Sequence, residues 1–453
     1  MQKGITDQLG TARIGSLLVR LSVPAITAQL VNVLYNIVDR AYIGNIPVIG
    51  ADAIAGIGIT MPILVLVMAC SSLFGMGGAP LASMRLGAQD EEGAQVILNN
   101  CFAMLMGLSL LFTLATQLFA KPVLLAFGAS EVTLPYALDY LRIYCAGTVF
   151  VMITLGMNSF INCQGFSGVG MLTVIIGAVL NIALDPLFIF AFDMGVKGAA
   201  LATVLSQAVS CIWVLLFMTG KKTRIRLKIG QMKPKKRIVM RVMGLGLSPF
   251  VMQSTESLVQ IVVNAGLAKY SGDLAVASMT IITSIMLVLN MPLQGLGQGA
   301  QPIISYNYGA GNMDRVKKTF RMLITVTLSI STSLCLFVIL FPQVFCRIFT
   351  QDAELIELTC RVVRIFIAGY FAMGAQFAVQ QTFLSVGQAK VSIFIALLRK
   401  VILLIPLALI LPRLFGLEEM GIYLAEPIAD FTCACIACVI FAVRSKKLFA
   451  IQK

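Results

Sequence analysis

The sequence predicts an all-α integral membrane protein: twelve transmembrane helices in two pseudo-twofold-related lobes of six. Three observations carry that expectation. The 453 residues are 58% hydrophobic and only 12% charged, with a mean hydropathy of +0.92, whereas soluble domains run at about 45–50% apolar and about 25% charged. Apolar runs of about 20 residues, the length that crosses the hydrocarbon core at ~1.5 Å per residue, recur along the whole chain. Features of the first half return in order in the second.

Gly, Pro and charge punctuation place the first set of spans near 15–43, 52–79, 95–120, 135–161, 167–191 and 197–219. The second set falls near 241–268, 275–300, 317–341, 357–384, 390–412 and 419–443. This predicts an N-terminal lobe over 1–220, a basic linker over 221–240 and a C-terminal lobe over 241–453. The linker holds Lys221, Lys222, Arg224, Arg226, Lys228, Lys233, Lys235, Lys236 and Arg237, the cytoplasmic signature of the positive-inside bias. Lys3, Arg13, Arg85, Arg315, Lys317, Lys318, Arg444, Lys446 and Lys447 fall on the same side, so both termini are expected in the cytoplasm. Acids such as Asp352, Glu354, Glu418 and Glu419 mark the other side. No cleavable signal peptide is expected, because Met1 to Thr11 is polar and the first apolar run is too long.

A shift of about 222–224 residues superposes the halves. It carries Pro80, Gly87 and Ala88 onto Pro302, Gly309 and Ala310, and Gln29, Asn32 and Asn36 onto Gln253, Glu256 and Gln260. Thr154, Asn158 and Ser159 land on Gln376, Gln380 and Gln381. An even number of spans per half makes this a parallel repeat about an axis along the membrane normal, and substrate paths in such folds run between the halves.

Composition excludes several functions. The net charge of +14 sits in short loops rather than on a basic face with aromatics, so no nucleic-acid partner is expected. The 11 cysteines lie mostly in apolar stretches and read as free thiols; Cys433, Cys435 and Cys438 lack further ligands for a metal. Histidine is absent, which removes His triads, imidazole metal sites and His relays. A carried proton must ride on Asp or Glu. No Walker lysine motif occurs, so an ion gradient rather than ATP is the expected driving force. Neither an enzyme nor a cofactor is expected.

Acids inside spans are the informative exceptions, each costing roughly 2.5–3.5 kcal/mol at mid-helix. On the first span Gln29, Asn32, Tyr35, Asn36 and Asp39 share a stripe. On the fifth, Asn181 and Asp185 lie one turn apart, and Pro186 cannot donate to the Ile182 carbonyl. Two carboxylates, an amide and a freed carbonyl suit a proton or monovalent cation, since neighbouring carboxylates resist joint ionisation. The bland alternatives are an interfacial Asp39 paired with Arg40, and an Asp185 that merely ends its helix. The seventh span carries Gln253, Glu256, Gln260 and Asn264 on one face, which lines a substrate site or simply wets a cavity. Arg399 and Lys400 on the eleventh span and Glu426 and Asp430 on the twelfth read equally as an internal ion pair or as substrate groups.

The stretches Tyr35-Asn36-Ile37-Val38-Asp39-Arg40, Asn181-Ile182-Ala183-Leu184-Asp185-Pro186 and Gly198-Ala199-Ala200-Leu201-Ala202-Thr203 give the chain a resemblance, over nearly its full length, to the multidrug and toxic compound extrusion (MATE) transporters. It is most similar to their bacterial MepA-type branch. The resemblance implies two lobes set as a V, and export of amphipathic organic cations in exchange for protons or sodium by alternating access. A multi-pass protein of a bacterial plasma membrane is expected, working as a monomer, although the sequence carries no signal for oligomeric state. By resemblance Asp39, Asn181, Asp185 and Thr203 form a cation site, with Tyr35 beside it. Asn36, Asn158, Gln253, Glu256, Gln260, Gln376 and Gln380 become substrate-cavity candidates. Other members of the family pair a seventh-helix Glu with a tenth-helix Asp; Glu256 matches the first, but Ala375 or Gln376 stands where the second belongs. Coupling is therefore expected in the N-terminal lobe. Lipid-linked sugar flippases share the broader architecture and are the main alternative; an intramembrane enzyme and a passive channel are further rivals.

Overall fold

The structure, a computed structural model, describes residues 4–228, 230, 232–414 and 416–448. Lys3 lies outside the described residues, as do the side chains of Lys446 and Lys447. The first half holds α1 (Ile5–Thr11), α2 (Ile14–Gly44), α3 (Gly50–Gly87), α4 (Glu91–Ala126), α5 (Leu134–Ala146), α6 (Thr148–Cys163), α7 (Ser167–Pro186) and α8 (Gly195–Thr219). The second holds α9 (Lys236–Gly309), α10 (Met313–Leu340), α11 (Pro342–Phe349), α12 (Ala353–Phe366), α13 (Tyr370–Ser385), α14 (Ala389–Leu397), α15 (Ile405–Ile410) and α16 (Glu418–Leu448). No strand occurs among the described residues.

Among the described residues, ten helical stretches are long and apolar enough to cross a membrane, and α5 with α6, bent by 55°, makes an eleventh. The first arm of α9 covers the remaining expected span, 241–268, and is less apolar than the others. That arm runs to Gly272, whose φ of 68° breaks the helix between the two expected spans. Gln253, Glu256 and Gln260 lower its hydropathy, as expected of an arm that turns polar groups away from lipid.

Two differences from the expected spans have local causes. The fourth span is not straight but turns at Gly147, where a Cβ would press into the Val204 side chain. Gly369, at the matching place in the second half, sits as tightly against the Pro427 backbone, and a 3-10 turn there joins α12 to α13. The polar stretch before the first span also folds, as α1. Thr6 donates to the Gln164 carbonyl at 3.0 Å, and Arg224 pairs with Asp7 at 2.6 Å and with Glu91. From the other half, Asn307 donates to the Leu9 carbonyl at 2.9 Å and Arg315 to that of Ala12 at 2.7 Å. The short helix thus ties both halves together at the basic end of the molecule.

The repeat finds its physical meaning where the lobes cross. Helix α3 packs along the second arm of α9, and backbones meet where no side chain fits. A Cβ on Gly87 would strike the Tyr306 carbonyl oxygen, and one on Gly309 would strike that of Met84. The two contacts exchange under the same shift of about 222 residues, so the interface is self-complementary about the pseudo-twofold axis. Gly246 against Leu73, Gly295 against Ile26 and Gly299 against Ser22 extend it. Along α2 burial falls off away from these contacts: Leu17, Leu18, Leu21 and Ser22 are buried, whereas Leu30, Leu34 and Ile37 are exposed.

An exposed helical Gly replaced by Ala ordinarily gains about 1 kcal/mol of helix propensity. Gly87→Ala is expected to do the reverse and lower the thermal unfolding temperature, read with a thiol-reactive dye on the buried cysteines. Gly107→Ala, where a Cβ meets nothing within 4 Å, is expected to hold or raise it.

Candidate functional site

The N-terminal lobe gathers its intramembrane polar groups at the end of α7. Asn181 and Asp185, one turn apart, face inward and are almost wholly buried. The Asn181 amide nitrogen donates to Asp185 Oδ1 at 3.2 Å and to Thr203 Oγ1 on α8 at 3.4 Å; Thr203 in turn donates to the Ala199 carbonyl at 3.1 Å. Pro186 ends the α-helical pattern, and a π-helical turn follows over Leu187–Ala191. Such turns lack the usual i to i−4 ladder, which leaves backbone irregular beside the acid.

Helix α2 brings the second acid. The Asp39 carboxyl lies against that of Asp185, and Tyr35 lies close to both. The bland reading of Asp39, as a group paired with Arg40, does not describe this geometry: the Arg40 guanidinium turns to Met61 Sδ at 3.8 Å. Asp39 Oδ1, Asn181 Oδ1 and Asp185 Oδ2 are buried and have no hydrogen-bond partner among the described residues. Unpaired buried acceptors of this kind cost about 1–3 kcal/mol each, more when charged. Oxygen-only donor sets suit hard cations, and a proton shared between carboxyls serves equally.

Tyr140 was not singled out in the sequence. It is nearly buried on α5 and lies near Thr203, Asp39 and Tyr35. Its ring stacks on Tyr144 at 6.1 Å. Two tyrosines four apart at the start of a span were the available signal. Asn158, one of the substrate-cavity candidates, does not join the acids. It donates to the Gly170 carbonyl at 3.2 Å, and Gly170 lies about 22 Å along α7 from Asp185 at ~1.5 Å per residue. The bend at Gly147 sends α5 to the acid cluster and leaves α6 behind.

The second lobe holds a different assembly. Arg399 binds Asp430 Oδ1 at 2.6 Å and Glu426 Oε1 at 2.9 Å, and Lys400 binds Glu256 Oε2 at 3.1 Å. The internal ion pair between the eleventh and twelfth spans is therefore present, and it extends to the seventh. The remaining cavity candidates divide. Gln253 donates to Ser72 Oγ on α3 at 2.7 Å, a bond between lobes. Gln376 donates to Gln380 at 3.1 Å, and Gln380 reaches Met252 Sδ at 3.0 Å, which places both beside the first arm of α9. Gln260 is exposed, and Asn36 turns back onto its own helix at the Asn32 carbonyl, 2.6 Å away.

The family model described as MatE matches residues 24–187 and 249–446. Among curated proteins, the multidrug export protein MepA of Staphylococcus haemolyticus (strain JCSC1435) is 27% identical over 431 residues, covering 95% of this chain and 94% of its own. MepA of Staphylococcus aureus (strain NCTC 8325) is 27% identical over 429 residues, covering 93% and 92%. Among solved structures, an outward-facing multidrug resistance MATE transporter of the MOP superfamily superposes with a TM-score of 0.91 at 22% identity, over 99% of both chains. A MOP superfamily transporter from Pyrococcus furiosus, noted for a binding pocket of reversed polarity, gives the same TM-score, identity and coverage. These neighbours carry the fold of twelve helices in two lobes.

Thr203→Val removes the hydroxyl that accepts from Asn181. A net hydrogen bond is worth about 1 kcal/mol, so the variant is expected to lose about that much stability, read as a lower thermal unfolding temperature with a thiol-reactive dye.

Proposed function

The chain belongs to the MatE family, and from that premise we propose that it exports amphipathic organic cations from the cytoplasm in exchange for protons or sodium, by alternating access of a chamber between the lobes. The coupling residues are Asp39, Asn181, Asp185 and Thr203, with Tyr35 and Tyr140 closing the site. The observation that carries this reading is the set of three buried, unpaired oxygens on Asp39, Asn181 and Asp185. One proton or cation among them removes the repulsion between two carboxyls in a low dielectric.

Both carboxyls sit where ion occupancy can move a helix. Asp39 is on α2 and Asp185 on α7, so neutralising the pair lets the far half of α2 bend towards α7. That motion narrows the chamber and expels the drug. Loss of the ion to the cytoplasm resets the pair. The basic end, with Arg85, Arg224 and Arg315, is the cytoplasmic face, which puts both termini inside. The lobes divide at the linker over 221–240. The protein works as a monomer in a bacterial plasma membrane and needs no cofactor.

The flippase reading gains no support from the second lobe, where Arg399 and Lys400 are both engaged by acids of the chain. A pyrophosphate would need them free.

The test is ethidium efflux from reconstituted vesicles with a pH gradient and a sodium gradient imposed separately. The unaltered chain is expected to export under one gradient, which names the ion. Asp39→Asn is expected to abolish gradient-driven export, and normal export by that variant would refute coupling through this site.

A further inference from the structure

Three carboxylates in the second lobe, Glu256, Glu426 and Asp430, face only two cations, Arg399 and Lys400. With all three ionised, one negative charge is in excess between helices that cross the membrane, where a charge is costly unless matched. The excess is unevenly placed. Arg399 holds Asp430 and Glu426 together at 2.6 and 2.9 Å, and all three are nearly buried. That arrangement is a fixed, two-pronged clamp.

Lys400 is placed differently. Its ammonium lies 3.1 Å from Glu256 and 4.0 Å from Glu426, so it stands between an open acceptor and a buried one. The Glu256 side chain is 52% exposed, whereas that of Glu426 is only 8% exposed. Consecutive residues of an α-helix diverge by about 100°, yet Arg399 and Lys400 serve the same cluster. The π-helical turn over Leu398–Leu404 permits it by adding a residue to the turn. One turn before Glu256, Gln253 bonds to Ser72 of the other lobe, so the exposed Glu256 lies close to where the two lobes meet. On the same wall Gln376 Oε1 is buried without a partner, one turn from the Gln380 that reaches Met252.

We propose that Glu256 is the docking carboxylate for the transported organic monocation, and that the Lys400 ammonium is a tethered competitor which the cation displaces onto Glu426. This rests on the export of organic cations proposed above. When no cation is docked, Lys400 caps Glu256. An arriving cation takes Glu256, Lys400 moves to the neighbouring Glu426, and the excess negative charge of the cluster is met. Each ammonium stays paired throughout, so no charge is bared during the exchange. Release is the reverse: Lys400 returns and pushes the cation off. Neutral amphiphiles gain nothing from the exchange, and anions are opposed by the excess charge. Lysine suits the role because it is a point charge on a flexible stem, whereas arginine presents a rigid fork.

The test measures tetraphenylphosphonium binding to the full-length protein in lipid nanodiscs, beside ethidium efflux in vesicles. Lys400→Met removes the competitor and is expected to tighten binding about tenfold and to slow release. Glu256→Gln is expected to weaken it by at least about tenfold, and in that background Lys400→Met should have no further effect. Lys400→Arg, which keeps the charge and covers the case of a Lys400→Met protein that does not fold, is expected to bridge both acids and weaken binding. Binding in Lys400→Met or Lys400→Arg equal to that of the unaltered chain overturns the competitor role while leaving cation export standing. An unaltered chain that neither binds nor exports the cations overturns both.

Discussion

Two carboxyl groups pressed together away from bulk water, with no cation of the chain between them, set the terms for the rest of this molecule. Like charges that close repel strongly in a low dielectric, so the arrangement of Asp39 and Asp185 asks for a proton or an ion. Asp185 is buried at the end of α7 and held by Asn181, which bonds to Thr203 in turn. Asp39 lies on the more exposed half of α2. The other half of α2 is clamped, with Ser22 against Gly299 and Ile26 against Gly295 of the second lobe. On the proposed reading, a force applied at Asp39 acts on a helix anchored at its far end in the opposite lobe, a physical route from ion to chamber.

The two lobes repeat the same backbone but divide the chemistry. The glycine crossings are conserved between halves because backbone contact tolerates no side chain on either side, and Gly147 and Gly369 bend corresponding spans. Polar groups are free of that constraint and have diverged. The first lobe offers oxygens without a partner; the second fills its interior with Arg399 and Lys400 and answers them with three acids. On the proposed reading, one lobe takes the small coupling ion and the other meets the larger substrate cation.

Much of this was legible in the sequence. Apolar run length with Gly, Pro and charge punctuation placed the spans, and the spacing of Pro80 and Gly87 against Pro302 and Gly309 marked the repeat whose matching glycines prove to lie where the lobes cross. Asp39, Asn181 and Asp185 stood out because acids and amides in apolar helices need a reason. What was not legible depended on bends. The turn at Gly147 decides that Tyr140 rather than Asn158 reaches the acids, and a straight-helix reading of the fourth span cannot tell them apart. The π-helical turn that aims Arg399 and Lys400 at one cluster likewise breaks the 3.6-residue period on which side-chain direction is read. Helix α1 was hidden because its stability comes from Gln164, Arg224, Asn307 and Arg315, all far away in sequence.

The central claim, that an ion between Asp39 and Asp185 moves the lobes, is tested most directly by pulsed electron resonance between spin labels at Val132 and Val344. Both are exposed, one beyond α4 in the first lobe and one on α11 in the second. The account predicts that lowering the pH or adding sodium shifts the distance distribution in the unaltered protein, and that Asp185→Asn no longer responds to that ion. An equal ion response in the Asp185→Asn protein would contradict it.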